Sequence, residues 1–408
     1  MRLRSLLGPG SSPLAFAVAA IMVSAATPAQ VLPGPTIAGL VTGVGRPFGV
    51  AVHGGFAYVA DPSTHTVWQV SLLPPFVKVP VAGIGWRPDI DPQDRQGYNG
   101  DGIAATQAQL DNPRGVAIDP SGIGTLYIAD TGNHAIRKVA LGLVGATITT
   151  VAGIPTSAGV TDQAAFAACG NQCPATSLRL FNPRAVAVDQ QGNLYIADEM
   201  NYQVKRVDKA TGFISVVAGV AGEPGSNDGP VVGPAFCAPG DVNCTPAAKL
   251  NAPVGVAVDA QGIVYIADWG NNRIRTVTLG GNVATLRAGA LLRPTGVAVT
   301  SDGGTVYIAE YGRHRVRRAT QCSPACTVVT VAGTGTPGSS GTLGGPATQA
   351  RLNSPIAVTL DSDLLYIADL LNGRIVIVAN VSLAPVPIPP APIPPLPIPP
   401  LPIPPLIP

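Results

Sequence analysis

Three of the four histidines stand in one repeated place, four residues after an acid that closes an apolar run. His65 follows Asp61, His134 follows Asp130 and His314 follows Glu310. Imidazoles at equivalent points of a repeat are the residue type and spacing that could hold a divalent metal or move a proton in a shared pocket. In the other repeats the slot holds Tyr202, Asn272 and Gly373, so the six positions do not form a uniform ligand set. The acids themselves recur as Asp61, Asp130, Asp198, Asp268, Glu310 and Asp369. A carboxylate at the end of a strand serves most simply as an acceptor for the backbone of the following turn. Arg137, Lys138, Lys205, Arg206, Arg275, Arg317 and Arg318 follow on the next run and are placed to pair with neighbouring acids. The chain has no G-x-S-x-G elbow, H-E-x-x-H, P-loop or dinucleotide fingerprint, and Gly97–Gly102 lacks the closing glutamate of a calcium loop. No cofactor is therefore expected; the alternative is a divalent metal on His65, His134 and His314.

The cysteines fall into three local pairs: Cys169 with Cys173, Cys237 with Cys244, and Cys322 with Cys326. An even count in an exported chain reads as disulfides, and the spacings lack the two-residue gap usual for zinc. Export is itself expected. Arg2 and Arg4 precede an apolar, small-residue run from Leu14 to Ala26, with cleavage sites after Ala25 or Ala29. That run is well short of the roughly 20 residues a membrane span needs. Residues 1–29 are thus expected to be a signal peptide, and the protein secreted, periplasmic or at the cell surface. Residues 381–408 form a Pro-rich tail built on a PIPPL-like unit, which suits a polyproline II rod and no sheet or helix interior.

Between these ends lies a chain rich in backbone punctuation. Its 408 residues include 48 glycines and 42 prolines, with only 12% charged residues and 46% hydrophobic ones. The apolar content excludes charge-driven disorder, and the glycines and few charges exclude coiled coils. A formal charge of +2 promises no basic face for nucleic acid. Six segments align, beginning at Arg46, Asn112, Asn182, Ala252, Arg293 and Ser354, with tyrosines at Tyr58, Tyr127, Tyr195, Tyr265, Tyr307 and Tyr366. Each carries three short β-prone runs of the types GVAVD, LYIAD and RIRKV. A fourth recurs as Val81–Gly83, Val151–Gly153, Val217–Gly219, Arg287–Gly289 and Val331–Gly333. Four antiparallel strands repeated radially describe a propeller blade. Small residues at Ala51, Ala117, Ala187, Ala257 and Ala298 suit inner strands crowded near an axis.

The sixth unit lacks its fourth strand, whereas Thr36-Ile37-Ala38-Gly39 carries that signature with no blade of its own. Residues 36–43 are therefore predicted to pair with 374–380, closing the ring and hiding its edges. The fold class expected for residues 30–380 is all-β: a six-bladed β-propeller with four-stranded antiparallel blades, the last closed by the N-terminal strand.

The pattern P-x-G-V-A-V-D…G-N-L-Y-I-A-D-x-x-N-x-R-I-R-K-V resembles the NHL repeat from residue 36 to 380. The link pieces Gly100–Gly102 with Ala108–Leu110, and Gly344–Thr348 with Leu352, are similar to those of bacterial secreted NHL propellers. The resemblance implies a binding platform; related six-bladed propellers include lyases and lactonases. Units five and six depart from the pattern at Thr300, Glu310 and Leu370-Leu371.

Strand alternation puts the second-to-third turns and the blade-to-blade links on one face. The links near 84–111, 154–181, 220–251 and 334–353 are long, so the expected functional face is this one. Trp86, Tyr98, Asp101, Tyr202, Trp269, Asn272 and Tyr311 are its candidate binding residues. The expected partner of this monomer is a protein, peptide or glycan, with no nucleic acid and no membrane span. The alternative is a metal-dependent lyase or lactone hydrolase using the central pocket.

Overall fold

The computed structural model describes residues 35–85, 96–119, 121, 124–143, 145–160, 168–169, 172–230, 247–278, 281–320, 322 and 325–379. The expected signal peptide and tail, Trp86, Cys237 and Cys244 lie outside the described residues.

The second run of each repeat is the simplest to derive. Leu194–Asp198 and Val264–Asp268 are buried at every position, because both faces of these strands pack against neighbouring sheets. That explains a continuous apolar run where a one-sided sheet would alternate. Around this strand each repeat builds an antiparallel sheet of four. Blade one comprises Gly49–His53, Phe56–Asp61, Thr66–Ser71 and Lys78–Ala82; blade two comprises Pro113–Asp119, Thr125–Asp130, Ala135–Ala140 and Ile148–Ala152. Blades three to five repeat the order with first strands Pro183–Val188, Pro253–Val258 and Pro294–Val299. First strands of successive blades touch around a complete ring, the sixth against the first.

Blade six is built from both ends of the domain. Pro355–Asp361, Leu364–Asp369 and Arg374–Ala379 are completed by Thr36–Thr42, which pairs with Arg374–Ala379 from Thr36 opposite Ala379 to Thr42 opposite Arg374. The predicted closure is present, with one bulge between Ile37 and Gly39.

The core is divided into six apolar wedges, one between each pair of neighbouring blades. Link residues seal them: Ala105, Ala108 and Leu110 between blades one and two, Ala347, Ala350 and Leu352 between five and six. Crowding near the axis is real but falls two residues before the alanines that suggested it. A Cβ on Gly49 would meet the Arg114 carbonyl at 2.2 Å, and one on Gly255 the Thr295 carbonyl at 2.2 Å. Backbone approaches backbone here, so no side-chain adjustment could make room.

Two details differ from the sequence expectation. Arg287–Gly289 lies past the fourth strand of blade four, which is Asn282–Thr285. The Leu286 N–H still bonds the Ile274 carbonyl at 2.8 Å, but the chain then turns at once into a short link that places Ala288 and Leu291 in the core. The long links, moreover, do not simply stand over one face. Cys173–Pro174 adds a fifth strand outside Phe213–Ala218, and Gly229–Pro230 does so outside Asn282–Thr285. Each link reaches out along the edge of the next blade before returning to its inner strand, and so covers a strand edge that would otherwise be open.

Candidate functional site

All six acids sit at the same corner, where the second strand ends and the chain arrives from the link. Each is fully buried. One carboxylate oxygen accepts from a backbone N–H just ahead of the blade's own first strand: Asp130 from Asp111 at 2.7 Å, Asp198 from Phe181 at 2.7 Å, Asp369 from Asn353 at 2.6 Å. In Asp130, Asp198, Asp268 and Asp369 the other takes an asparagine three residues on and a third-strand cation, whereas Asp61 Oδ2 has no hydrogen-bond partner. Asp130 Oδ2 accepts from Asn133 Nδ2 at 2.8 Å and from Arg137 at 3.3 Å; Asp198 Oδ2 accepts from Asn201 and from Lys205 Nζ, both at 2.6 Å. Glu310 uses Arg315 at 2.6 Å. Burial raises the Asp130 carboxyl to about 7 and raises Asp268 too, against the pull of their asparagine, backbone and arginine donors. The acids therefore hold the incoming chain rather than only their own turn. The D-x-x-N spacing was the available signal for this role.

The cations carry the latch outward. Arg137 is fully buried, lies 4.9 Å from the Tyr98 ring centre and donates to Asp101 Oδ1 at 2.9 Å. Asp101 Oδ2 in turn accepts from the Thr150 N–H at 3.0 Å. Asp228 repeats this in the link into blade four, with Arg275 at 2.6 Å and the Thr285 N–H at 3.2 Å. Tyr98 and Asp101 are thus placed where they fasten a link to its blade.

The histidine slot has a backbone explanation. Its occupants, His65, His134, Tyr202, Asn272, His314 and Gly373, all have φ between 47° and 60°. Asparagine, histidine and glycine are the residues that tolerate this left-handed region best. Three imidazoles then accept, through Nδ1, the N–H of the residue preceding the next blade's first proline. Asn112 donates to His65 at 3.1 Å, Asn182 to His134 at 3.2 Å and Ser354 to His314 at 3.0 Å. Asn272 Oδ1 does the same for Arg293 at 2.7 Å. Each histidine is spent on its own blade junction, and among the described residues no three His, Cys, Asp or Glu side chains gather as metal ligands.

The contact should make the His65 and His134 junctions acid-sensitive. Burial lowers the pKa of His65 and of His134, outweighing the opposite pull of Asp111 and Asp61 on the first and of Asp198 and Asp111 on the second. Their folded values lie below the unfolded value of about 6.5, so the contribution is complete above that pH and is lost as pH falls through the lower folded values. Melting at pH 7.5 and pH 5 should show an acid loss of about 1 kcal/mol per junction. The double variant His65→Asn/His134→Asn, copying Asn272, should lose that acid sensitivity; an equal acid loss in the variant would reject the imidazole contact as its source.

The rim of the channel on this face carries the remaining candidates. Trp269 is half-buried with Arg293 at 5.5 Å from its ring, Tyr202 and Tyr311 are half-buried, and Asn272 is exposed. Beside them stand Met200 and Leu292, 38% and 39% exposed, which the sequence reading did not single out, and Leu371, 49% exposed, noted there only as a departure from the repeat. Together these residues make an apolar and aromatic arc on blades three to six. The channel itself is narrow, with about 100 Å³ of open space lined by the first strands of all six blades. Disulfides join Cys169 to Cys173 and Cys322 to Cys326, which suggests an oxidising environment. Among the described residues no helix is long and apolar enough to cross a membrane.

The class is a six-bladed β-propeller with four-stranded blades, closed by its N-terminal strand and latched at each blade corner by an acid. Part of the ring is similar to known NHL propellers: the teneurin NHL domain matches residues 121–208 and 147–278, and the NHL repeat matches residues 291–318. Teneurin-1 of Mus musculus is 30% identical over 179 residues, 43% of this chain and 6% of its own length. The human NHL repeat-containing protein 2 is 30% identical over 174 residues, 42% of this chain and 22% of its own. The match therefore spans less than a quarter of either relative. A solved structure of unknown function from Bacteroides thetaiotaomicron shares the fold at 14% identity, with a TM-score of 0.51 over 82% of this chain and 69% of that one.

Proposed function

We propose that this protein is an exported binding platform that engages a protein or peptide through the face carrying the links. The observation that supports this most is the arc of Met200, Trp269, Leu292, Tyr311 and Leu371, exposed or half-exposed on consecutive blades around one channel mouth. Methionine and aromatic side chains on a rigid, closed scaffold are the composition of protein-binding surfaces. Tyr202 and Asn272 supply polar groups beside it. The disulfides fit an exported protein, and the Pro-rich tail suits a spacer.

Selection of peptides from a displayed library against the full chain tests the reading. Selected peptides should lose at least tenfold in affinity for Trp269→Ala/Tyr311→Ala and keep it for Val329→Ser, a control on an outer fourth strand. Equal retention by both variants would remove this face from the account. Binding confined to a glycan array would replace the peptide with a carbohydrate.

A further inference from the structure

The channel mouth on the same face has an unbalanced charge. The residue after the proline that begins or just precedes each first strand is Phe48, Arg114, Arg184, Val254, Thr295 or Ile356, and all six line the channel. Four are uncharged, so the propeller needs no charge at this position. Arg114 and Arg184 stand on adjacent blades. Arg184 is paired with Glu199 at 2.7 Å, both side chains largely buried. Arg114 has no carboxylate within ion-pair distance among the described residues; its guanidinium lies 5.1 Å from the Phe48 ring centre, and its Nε reaches Asn112 Oδ1 at 3.4 Å. Burial, with repulsion from Arg184, pushes the Arg114 pKa down to about 10, and Glu199 only partly offsets this. Two guanidiniums therefore share one carboxylate, and the excess cation is kept where solvent reaches it through the mouth. A half-buried cation without its own partner is costly unless something anionic visits it.

We propose that the mouth is a receptor for a single anionic group, a carboxylate or a phosphate, held by Arg114 and Arg184 with the Phe48 ring as one wall. Guanidinium is suited to both through paired N–H donors. The open space of about 100 Å³ is roughly that of three waters, enough for such a head group while the rest of the ligand lies outside on the rim. Glu199 keeps Arg184 oriented and sets the net charge at +1, which selects one anionic group over a polyanion. The site rests on the reading of this face as the ligand-bearing one and identifies the chemistry of what enters there.

Calorimetric titration of the full chain with acetate and with inorganic phosphate at low ionic strength tests it. One saturable site is expected for at least one of them, and the responding anion identifies the head group. Affinity should fall at least tenfold in Arg114→Gln and in 0.3 M salt, and stay unchanged in Arg206→Gln, on the opposite face. Arg114→Val, copying blade four, guards against misfolding: it should melt no lower than the parent without anion and lose the rise in melting temperature that anion gives. No saturable binding of either anion, unchanged binding in Arg114→Gln, or unfolding of Arg114→Val would overturn the proposal. The titration needs no macromolecular partner, so its failure leaves peptide capture by the arc standing, and failed capture leaves the titration standing.

Discussion

Deletion of Thr36–Thr42 should abolish the folded propeller. The segment precedes blade one and lies more than 300 residues before Pro355, where the rest of blade six begins, yet it is the outer strand of that blade and pairs along Arg374–Ala379. Its two inward side chains serve different wedges. Ile37 packs with Val376, Val378 and Leu352 between blades five and six, whereas Val41 packs with Val59, Ala368 and Ile375 between blades six and one. At 2% and 0% exposure, each is worth about 1.5–3 kcal/mol of burial. The strand is also held on its far side, where Ile37 N–H donates to the Gly345 carbonyl at 2.9 Å and Gly344 N–H to the Ile37 carbonyl at 2.8 Å. Its loss removes apolar burial from two junctions and bares the edge of Arg374–Ala379, whose residues include Ile375, Val376, Ile377 and Val378. Against a total stability of about 5–15 kcal/mol for a folded domain, that is a large fraction. Size exclusion and thermal melting should show aggregation or a melting point lowered by more than 10 °C. A milder variant, Val41→Asp, should destabilise by about 3 kcal/mol without removing the ladder, because it puts a charge in a dry wedge. An unchanged melting curve for the deletion would mean the ring does not depend on this closure.

The closure was legible in the sequence because it is a matter of counting: five fourth-strand signatures, six three-strand units and one orphan signature at the start. The blade corner was legible only in part. Asp130, Asp198 and their equivalents recur visibly, but a recurring acid before a turn carries no information about which N–H it accepts; the answer, Asp111 or Phe181, lies 19 or 17 residues back and reaches the acid only when the first and second strands pair. The histidines misdirect for a related reason. Their shared slot suggests shared chemistry, while the common cause is a left-handed backbone that His, Asn and Gly all satisfy. Arg114 and Arg184 escaped notice because the repeat hides them: the variable position of P-x-G-V-A-V points into the channel, and a variable position reads as surface. The exposed arc was missed similarly, since Met200 and Leu371 are isolated apolar residues in turns until the ring brings blades three to six side by side.

Asp198→Ala should be the most damaging single truncation at a blade corner, costing about 3–5 kcal/mol. Asp198 and Lys205 are both fully buried with Nζ–Oδ2 at 2.6 Å, and the same carboxylate also holds the Phe181 N–H and Asn201. The substitution strands an ammonium in a dry wedge and frees a backbone donor at the start of blade three. The loss is therefore mostly the penalty of uncompensated groups rather than the worth of the pair. Two comparisons separate these terms. Asp198→Ala/Lys205→Met removes the stranded charge and should recover most of the loss, leaving about 1–2 kcal/mol for the unsatisfied Phe181 N–H. Glu223→Ala breaks the Lys249 pair, whose side chains are 34% and 59% exposed, and should cost no more than about 1 kcal/mol. Denaturant melts of the three variants give the ordering directly. If the double variant is as unstable as Asp198→Ala, the corner is held by the carboxylate's grip on backbone and asparagine, and the buried cation contributes little.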